Sequence, residues 1–139
     1  MVSITPKTLQ DLEFETVVQT VSGLCNTELG REKALQLKPI LYSDALMQQL
    51  LQTSEYLASF SNNNALPNHG FDNLSNEIKF LGIEDSFLEL ASFRKIAQLS
   101  ETANSQLVFL KKFQEYYPQL YLRSQSVELT KIIVQLIDA

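Results

Sequence analysis

Residues 86–115 read SFLELASFRKIAQLSETANSQLVFLKKFQE. In this stretch Ile96, Leu99, Ala103, Leu107, Leu110 and Phe113 recur at intervals of three and four, which places all six on one face of a helix. Asp85-Ser86 offers short polar side chains for the free amides of a first turn, and Tyr116-Tyr117-Pro118 offers a stop. The spacing predicts one long helix over about 86–115, with Thr102 to Ser105 as its weakest part. Such an apolar stripe needs other helices to cover it, so the fold class expected is all-α, a multi-helix domain.

Working outward, the same periodicity continues on both sides. Thr5-Pro6 opens a first helix carrying Leu9, Phe14, Val17, Val18, Val21 and Leu24, weakened at Ser22-Gly23. A short helix follows from Asn26 or Thr27 through Ala34 and Leu37 until Pro39 stops it. Ser43-Asp44 starts another, whose Leu46, Leu50, Thr53, Leu57 and Phe60 form a narrow seam suited to helix-on-helix packing. Residues 61–73, rich in Asn, read as a flexible, exposed loop, the best place for a functional connection. Leu74 to Leu81 is a short helix closed by Gly82. Beyond Pro118 a short helix is expected around Gln119 to Leu122, then a last one capped by Ser126 and carrying Leu129, Ile132, Ile133, Leu136 and Ile137.

Composition agrees. The chain has 139 residues, 45% apolar and 19% charged, with 23 leucines but only 4 Gly and 4 Pro, which favours one packed helical domain over a turn-rich β fold. A net charge of −5 gives no basic footprint for a nucleic-acid binder acting alone. One cysteine, Cys25, and one histidine, His69, exclude an internal disulfide and a multi-histidine metal site. No run of apolar residues is long enough for a membrane span or a signal peptide, so the cytoplasm is the expected compartment.

No catalytic constellation can be written. Gly23, Gly30, Gly70 and Gly82 are too scattered for a phosphate-cradling loop. His69 sits in the Asn-rich loop, and Cys25 follows Leu24 as a small buried residue would. Glu28 and Glu32 lie one turn apart but are flanked by Arg31 and Lys33, the pattern of a solvated face. The remaining candidates are Arg94, Lys95, Lys111 and Lys112, which could touch phosphates from one long helix, with Arg123 and Lys131 further on; given the net charge, an ordinary mixed-charge surface is the better explanation. The tyrosines at 116, 117 and 121 could stack on bases, but without interleaved cations helix-terminal packing suits them better. Catalytic, cofactor-binding and metal residues are therefore expected to be none.

Order and spacing say more. Cys25-Asn26-Thr27-Glu28-Leu29-Gly30-Arg31, followed by Leu35, Leu37, Pro39-Ile40 and Asp44, resembles the segment that opens the helical core of MutS proteins. Leu12-Glu13-Phe14, Thr53-x-Glu55, Pro67 with Gly70-Phe71-Asp72, Leu88-x-Leu90, Pro118-x-Leu120 and Leu129 with Ile137-Asp138 are similar to the second bacterial MutS paralogue, the anti-recombination type with a C-terminal Smr nuclease domain. The chain departs from that pattern at Asn62 to Asn64 and at Glu84-Asp85.

The resemblance implies an N-terminal part of a MutS-type core or lever domain. The last helix, apolar almost to Ala139, also reads as belonging to a longer chain, against the plainer reading of a final helix docked on its own core. The full-length protein would be a homodimeric ATPase using ATP and Mg2+, binding branched or mismatched DNA, suppressing homologous recombination, cutting nucleic acid through its Smr domain and, in some relatives, acting on collided ribosomes. This segment would link DNA-gripping arms to the ATPase and partner the remainder of its own chain. The rival expectation is a free-standing helical interaction module that binds a partner helix on the Leu46–Phe60 seam.

Overall fold

The computed structural model describes residues 4–67 and 69–138, without the side chains at 131, 132, 134 and 138, so Asn68 of the loop and the side chains of Lys131 and Ile132 lie outside it. The described residues form helices and no strand, and the chain falls into two compact units, Met1–Met47 and Gln48–Ala139.

The first unit holds α1 (Pro6–Asp11), α2 (Phe14–Gly23) and α3 (Glu28–Leu35). Thr5 accepts from the Thr8 amide and Pro6 occupies the first turn, as the sequence predicts. The single first helix expected there is nevertheless two. Glu13 takes a left-handed backbone, φ 50°, which ends α1 and re-aims the chain so that Val18 and Ser22 of α2 are buried. No Gly or Asn marks that turn, so local sequence gives no sign of it. The Ser22 hydroxyl donates to the Arg31 carbonyl at 3.4 Å and ties α2 to α3. α3 ends at Leu35, short of the expected stop at Pro39, because the Gln36 and Leu37 amides reach back to Lys33 and Ala34 and tighten the last turn.

The Thr27-x-x-Gly30 turn has a steric cause. The Thr27 hydroxyl accepts from the Gly30 amide at 3.1 Å, and a Cβ on Gly30 would stand 2.8 Å from that same oxygen. Gly30→Ala should therefore displace the cap, losing about 1 kcal/mol and cancelling the similar gain that alanine normally brings to a helix. Thermal melts of the two proteins should nearly coincide; a clear stabilisation by Ala would show the cap is dispensable.

The second unit contains most of α4 (Ser43–Ser61), then α5 (Ser75–Leu81), α6 (Leu90–Lys112), α7 (Pro118–Ser124) and α8 (Lys131–Asp138). The long helix is α6, and it runs without a break through Thr102 to Ser105. Its limits are 90–112, inside the predicted 86–115. At the start, Asp85 is left-handed, φ 60°, and the Ser86 hydroxyl donates back to the Phe80 carbonyl, so this pair closes the turn after α5 and does not cap α6. At the end, the Phe113 carbonyl accepts from both the Tyr116 and Tyr117 amides in a tight turn. Gly82 closes α5 as expected, with φ −90°; among the described residues the left-handed conformation falls to Glu13 and Asp85.

Ser126 is a further correction. Its hydroxyl points backward to the Arg123 carbonyl, and α8 begins at Lys131 behind Thr130. Thr130 is anchored to α6: its amide donates to Asn104 Oδ1 at 2.8 Å, and its hydroxyl pairs with that of buried Ser100. Polar side chains at positions 100 and 104, one turn apart, thus fix where the last helix starts.

Around these contacts the interior is thin. Leu74, Ile96 and Tyr117 are the buried apolar residues described in the second unit, with Ser59 and Ser100 beside them. Tyr117 is 0% exposed; its ring stacks on Phe109 at 5.7 Å, its hydroxyl donates to the Asn64 carbonyl at 3.0 Å and accepts from Asn62 Nδ2 at 3.1 Å. The Asn-rich segment after α4 is therefore held by a tyrosine more than fifty residues away.

Candidate functional site

The face that α4 turns inward is polar. Glu55 and Ser59 lie one turn apart; Ser59 is fully buried and bonds the Tyr56 carbonyl, while the Glu55 carboxylate accepts from the Gln119 amide through Oε1 at 3.0 Å and from Leu120 through Oε2 at 2.9 Å. The predicted seam lies on the opposite side and is in solvent: Leu57 is 60% and Phe60 64% exposed, and Leu46 and Leu50 are exposed as well. The periodicity marks an apolar face, which within the second unit is left exposed at Leu50, Leu57 and Phe60.

The four predicted cations form two pairs at the two ends of α6. Seventeen residues separate Arg94 from Lys111, which is about 25 Å along a helix. All four are exposed. Lys95 Nζ lies 3.0 Å from Asp72 Oδ2, and this hydrogen bond and charge hold the lysine pKa above its ordinary value. A raised lysine pKa stabilises the fold below the ordinary value and the effect fades only as pH climbs through the raised one, so nothing changes near neutrality. Both partners are well exposed and water screens them. Lys95→Ala should leave the calorimetric melting temperature essentially unmoved. Lys112 lies over the Phe113 ring, 5.1 Å from its centroid.

His69 and the tyrosines have structural surroundings. Tyr56 hydroxyl and His69 Nε2 are 3.1 Å apart, and Nδ1 is 3.4 Å from the Pro67 carbonyl, so both ring nitrogens have local partners. Tyr116 is exposed, Tyr117 is buried and Tyr121 lines a cleft, so the three rings offer no shared stacking surface. Cys25 is half-buried, its thiol directed at the Val21 carbonyl. Among the described residues no three His, Cys, Asp or Glu side chains come together as metal ligands.

Two features escape a reading of periodicity. One is an open cleft of about 440 Å3 at the C-terminal end of α6, lined by Leu107, Val108, Val127 and Leu129 together with the polar Lys111, Ser124 and Gln125. The other is the 82–89 turn, which presents Phe87 with 89% of its surface in water, more than any other large apolar residue described. The run of carboxylates at Glu84, Asp85 and Glu89 around a lone aromatic is the signal that could have drawn attention to it.

Against this geometry, comparison with protein-family models, with curated proteins and with solved structures finds no match to the chain.

Proposed function

We propose that the chain is a non-catalytic helical core segment of a MutS-type DNA-processing ATPase, and that the α4 seam is the face on which the rest of that core packs. The observation that carries this reading is unsatisfied apolar surface. A compact 15.8 kDa monomer exposes about 7,300 Å2, and even two separate compact bodies of the sizes of the two units expose about 8,700 Å2 together. The molecule exposes 11011 Å2. Leu50, Leu57 and Phe60 are among the large apolar residues exposed, and a helix whose polar side faces in and whose leucines face water is built for a neighbour.

The motifs quoted above favour the rest of a MutS-type core as that neighbour. In the proposed protein, ATP with Mg2+ and the nuclease belong to other domains, DNA is gripped by arms beyond this segment, and the packed helices pass nucleotide-driven movement between them as rigid bodies. Homodimer formation, control of recombination and any ribosome contact belong to that whole protein, working in the cytoplasm. No helix among the described residues is long and apolar enough to cross a membrane.

The test begins with the reading frame. A Gly-x-x-x-x-Gly-Lys-Ser or Gly-x-x-x-x-Gly-Lys-Thr loop encoded in frame downstream supports the proposal, and a stop codon directly after codon 139 removes it in favour of the free-standing interaction module. Biochemically, the chain alone should neither hydrolyse ATP nor cut DNA, and its weak binding to branched DNA should show a salt slope near zero. It should also bind an apolar dye, with the signal reduced by the double substitution Leu57→Lys and Phe60→Lys at unchanged helicity by circular dichroism.

A further inference from the structure

We propose that the cleft at the C-terminal end of α6 binds a small amphiphilic monoanion, a carboxylate carried on an aliphatic body. The inference uses residues of the second unit alone and does not depend on the MutS-type reading.

Three walls make the cleft. Leu107, Val108 and Lys111 share one face of α6 at helical spacing, and Tyr121, Ser124 and Gln125 run down one side of α7 and its C-cap. The third wall is the segment before α8, which contributes Val127 and Leu129. That segment is fixed at both ends: the Val127 amide donates to the Ser124 carbonyl at 3.0 Å, and the Thr130 amide donates to Asn104 on α6 at 2.8 Å. Walls bonded to one another before a ligand arrives lose little ordering entropy on binding. The volume of about 440 Å3 lies in the range of small-molecule sites.

The lining sets the kind of ligand. Val108, Val127 and Leu129 are each about half exposed, and they face a concavity, so apolar surface there awaits an apolar body. Among the described residues the Lys111 ammonium, the Tyr121 hydroxyl and the Gln125 carboxamide have no hydrogen-bond or ion-pair partner, whereas the Ser124 hydroxyl is taken by the Tyr121 carbonyl. All three free groups are donors, and a carboxylate accepts from each.

Lys111 is the only charged residue in the lining. Charges nearby do not change the sign. Lys112 lies over the Phe113 ring, Arg123 lines a separate groove beside α4, and neither Glu115 nor Glu128 lines the cleft, although Glu128 falls between Val127 and Leu129. Two cations and two carboxylates outside the lining offset each other, which leaves the Lys111 ammonium to select the head group. The dipole of α6 accounts for a lysine in the last turn but not for the apolar concavity beside it.

Calorimetric titration of the full chain with octanoate at neutral pH tests this. Binding should saturate at one octanoate per chain, while acetate, which lacks the body, and octylammonium, which carries the wrong charge, should bind at least about tenfold more weakly. Lys111→Gln should cost about tenfold in octanoate affinity, and Lys111→Glu should reverse the preference in favour of octylammonium. Val108→Asp should weaken octanoate to a similar degree, and Lys112→Gln should leave it unchanged. Val108, Lys111 and Lys112 are exposed, so folding is spared, as circular dichroism would verify. Amide chemical shifts should move at Lys111, Tyr121, Gln125 and Leu129. Absence of saturation, equal affinity for octanoate and octylammonium, an undiminished affinity in Lys111→Gln, or shifts centred on α4 overturns the proposal.

Discussion

Tyr117→Ala should lower the unfolding free energy of the second unit by about 4 kcal/mol, the range for deleting a fully buried aromatic side chain. The ring has no exposed surface, stacks on Phe109 and lies between α6 and α7, so its loss opens a cavity that a sparse interior cannot easily refill. The hydroxyl adds to this by donating to the Asn64 carbonyl and accepting from Asn62. Tyr117→Phe isolates that part and should cost about 1–2 kcal/mol, because the Asn64 carbonyl then loses its donor. Against a total of about 5–15 kcal/mol for a domain, the alanine variant should be partly unfolded at physiological temperature. Urea titration followed by circular dichroism measures both steps; an alanine variant with an unshifted midpoint would mean that the aromatic stack carries no stability.

How far the sequence could be read follows from the range of the forces involved. Helix positions depend on neighbours three and four residues away, so the existence of α3, α4, α6 and α7 is legible at once, while the sequence leaves the cap of α3 between Asn26 and Thr27 and reads Pro118 as a stop, where the structure makes Thr27 the cap and Pro118 the first residue of α7. Helix limits depend on which of several competing hydrogen bonds a hydroxyl makes. Ser86 and Ser126 are good caps by type, but each finds a carbonyl behind it, and no local pattern records that preference. Direction is hidden for the same reason. The stripe along α4 reads correctly as apolar, yet a stripe does not say whether its partner is present, and here Glu55, Ser59 and Tyr117 make the inward contacts. The Glu13 turn has no marker at all. Of the candidate site, the four cations and the long helix that carries them are readable in the sequence, but the Asp72 partner of Lys95 appears only in three dimensions. Thr53-x-Glu55 and Pro118-x-Leu120, quoted as separate fragments, turn out to touch, and that contact is itself testable.

Glu55→Ala should destabilise the second unit by about 2–3 kcal/mol, an effect out of proportion to a half-exposed carboxylate. The reason lies in Pro118. As the first residue of α7 it has no amide to satisfy, which leaves the Gln119 and Leu120 amides as the free donors that begin the helix. α7 has no side-chain cap from its own preceding residue, Tyr117, and Glu55 takes that role from α4, one carboxylate oxygen to each amide at 3.0 and 2.9 Å. A negative group at a helix N-terminus is favoured by the dipole as well as by the two hydrogen bonds. Glu55→Gln keeps the shape but sets an NH2 against one of the two amides, so it should lose roughly half as much. Glu55→Asp is one methylene shorter and should behave like alanine. Glu101→Gln, an exposed carboxylate with no hydrogen-bond partner described, is the control and should change nothing. Hydrogen exchange separates capping from a general charge effect: in Glu55→Ala the amides of Gln119 and Leu120 should exchange faster while those in the middle of α6 keep their protection, and equal acceleration throughout, or none at Gln119 and Leu120, would show that α7 is held in place by something other than Glu55.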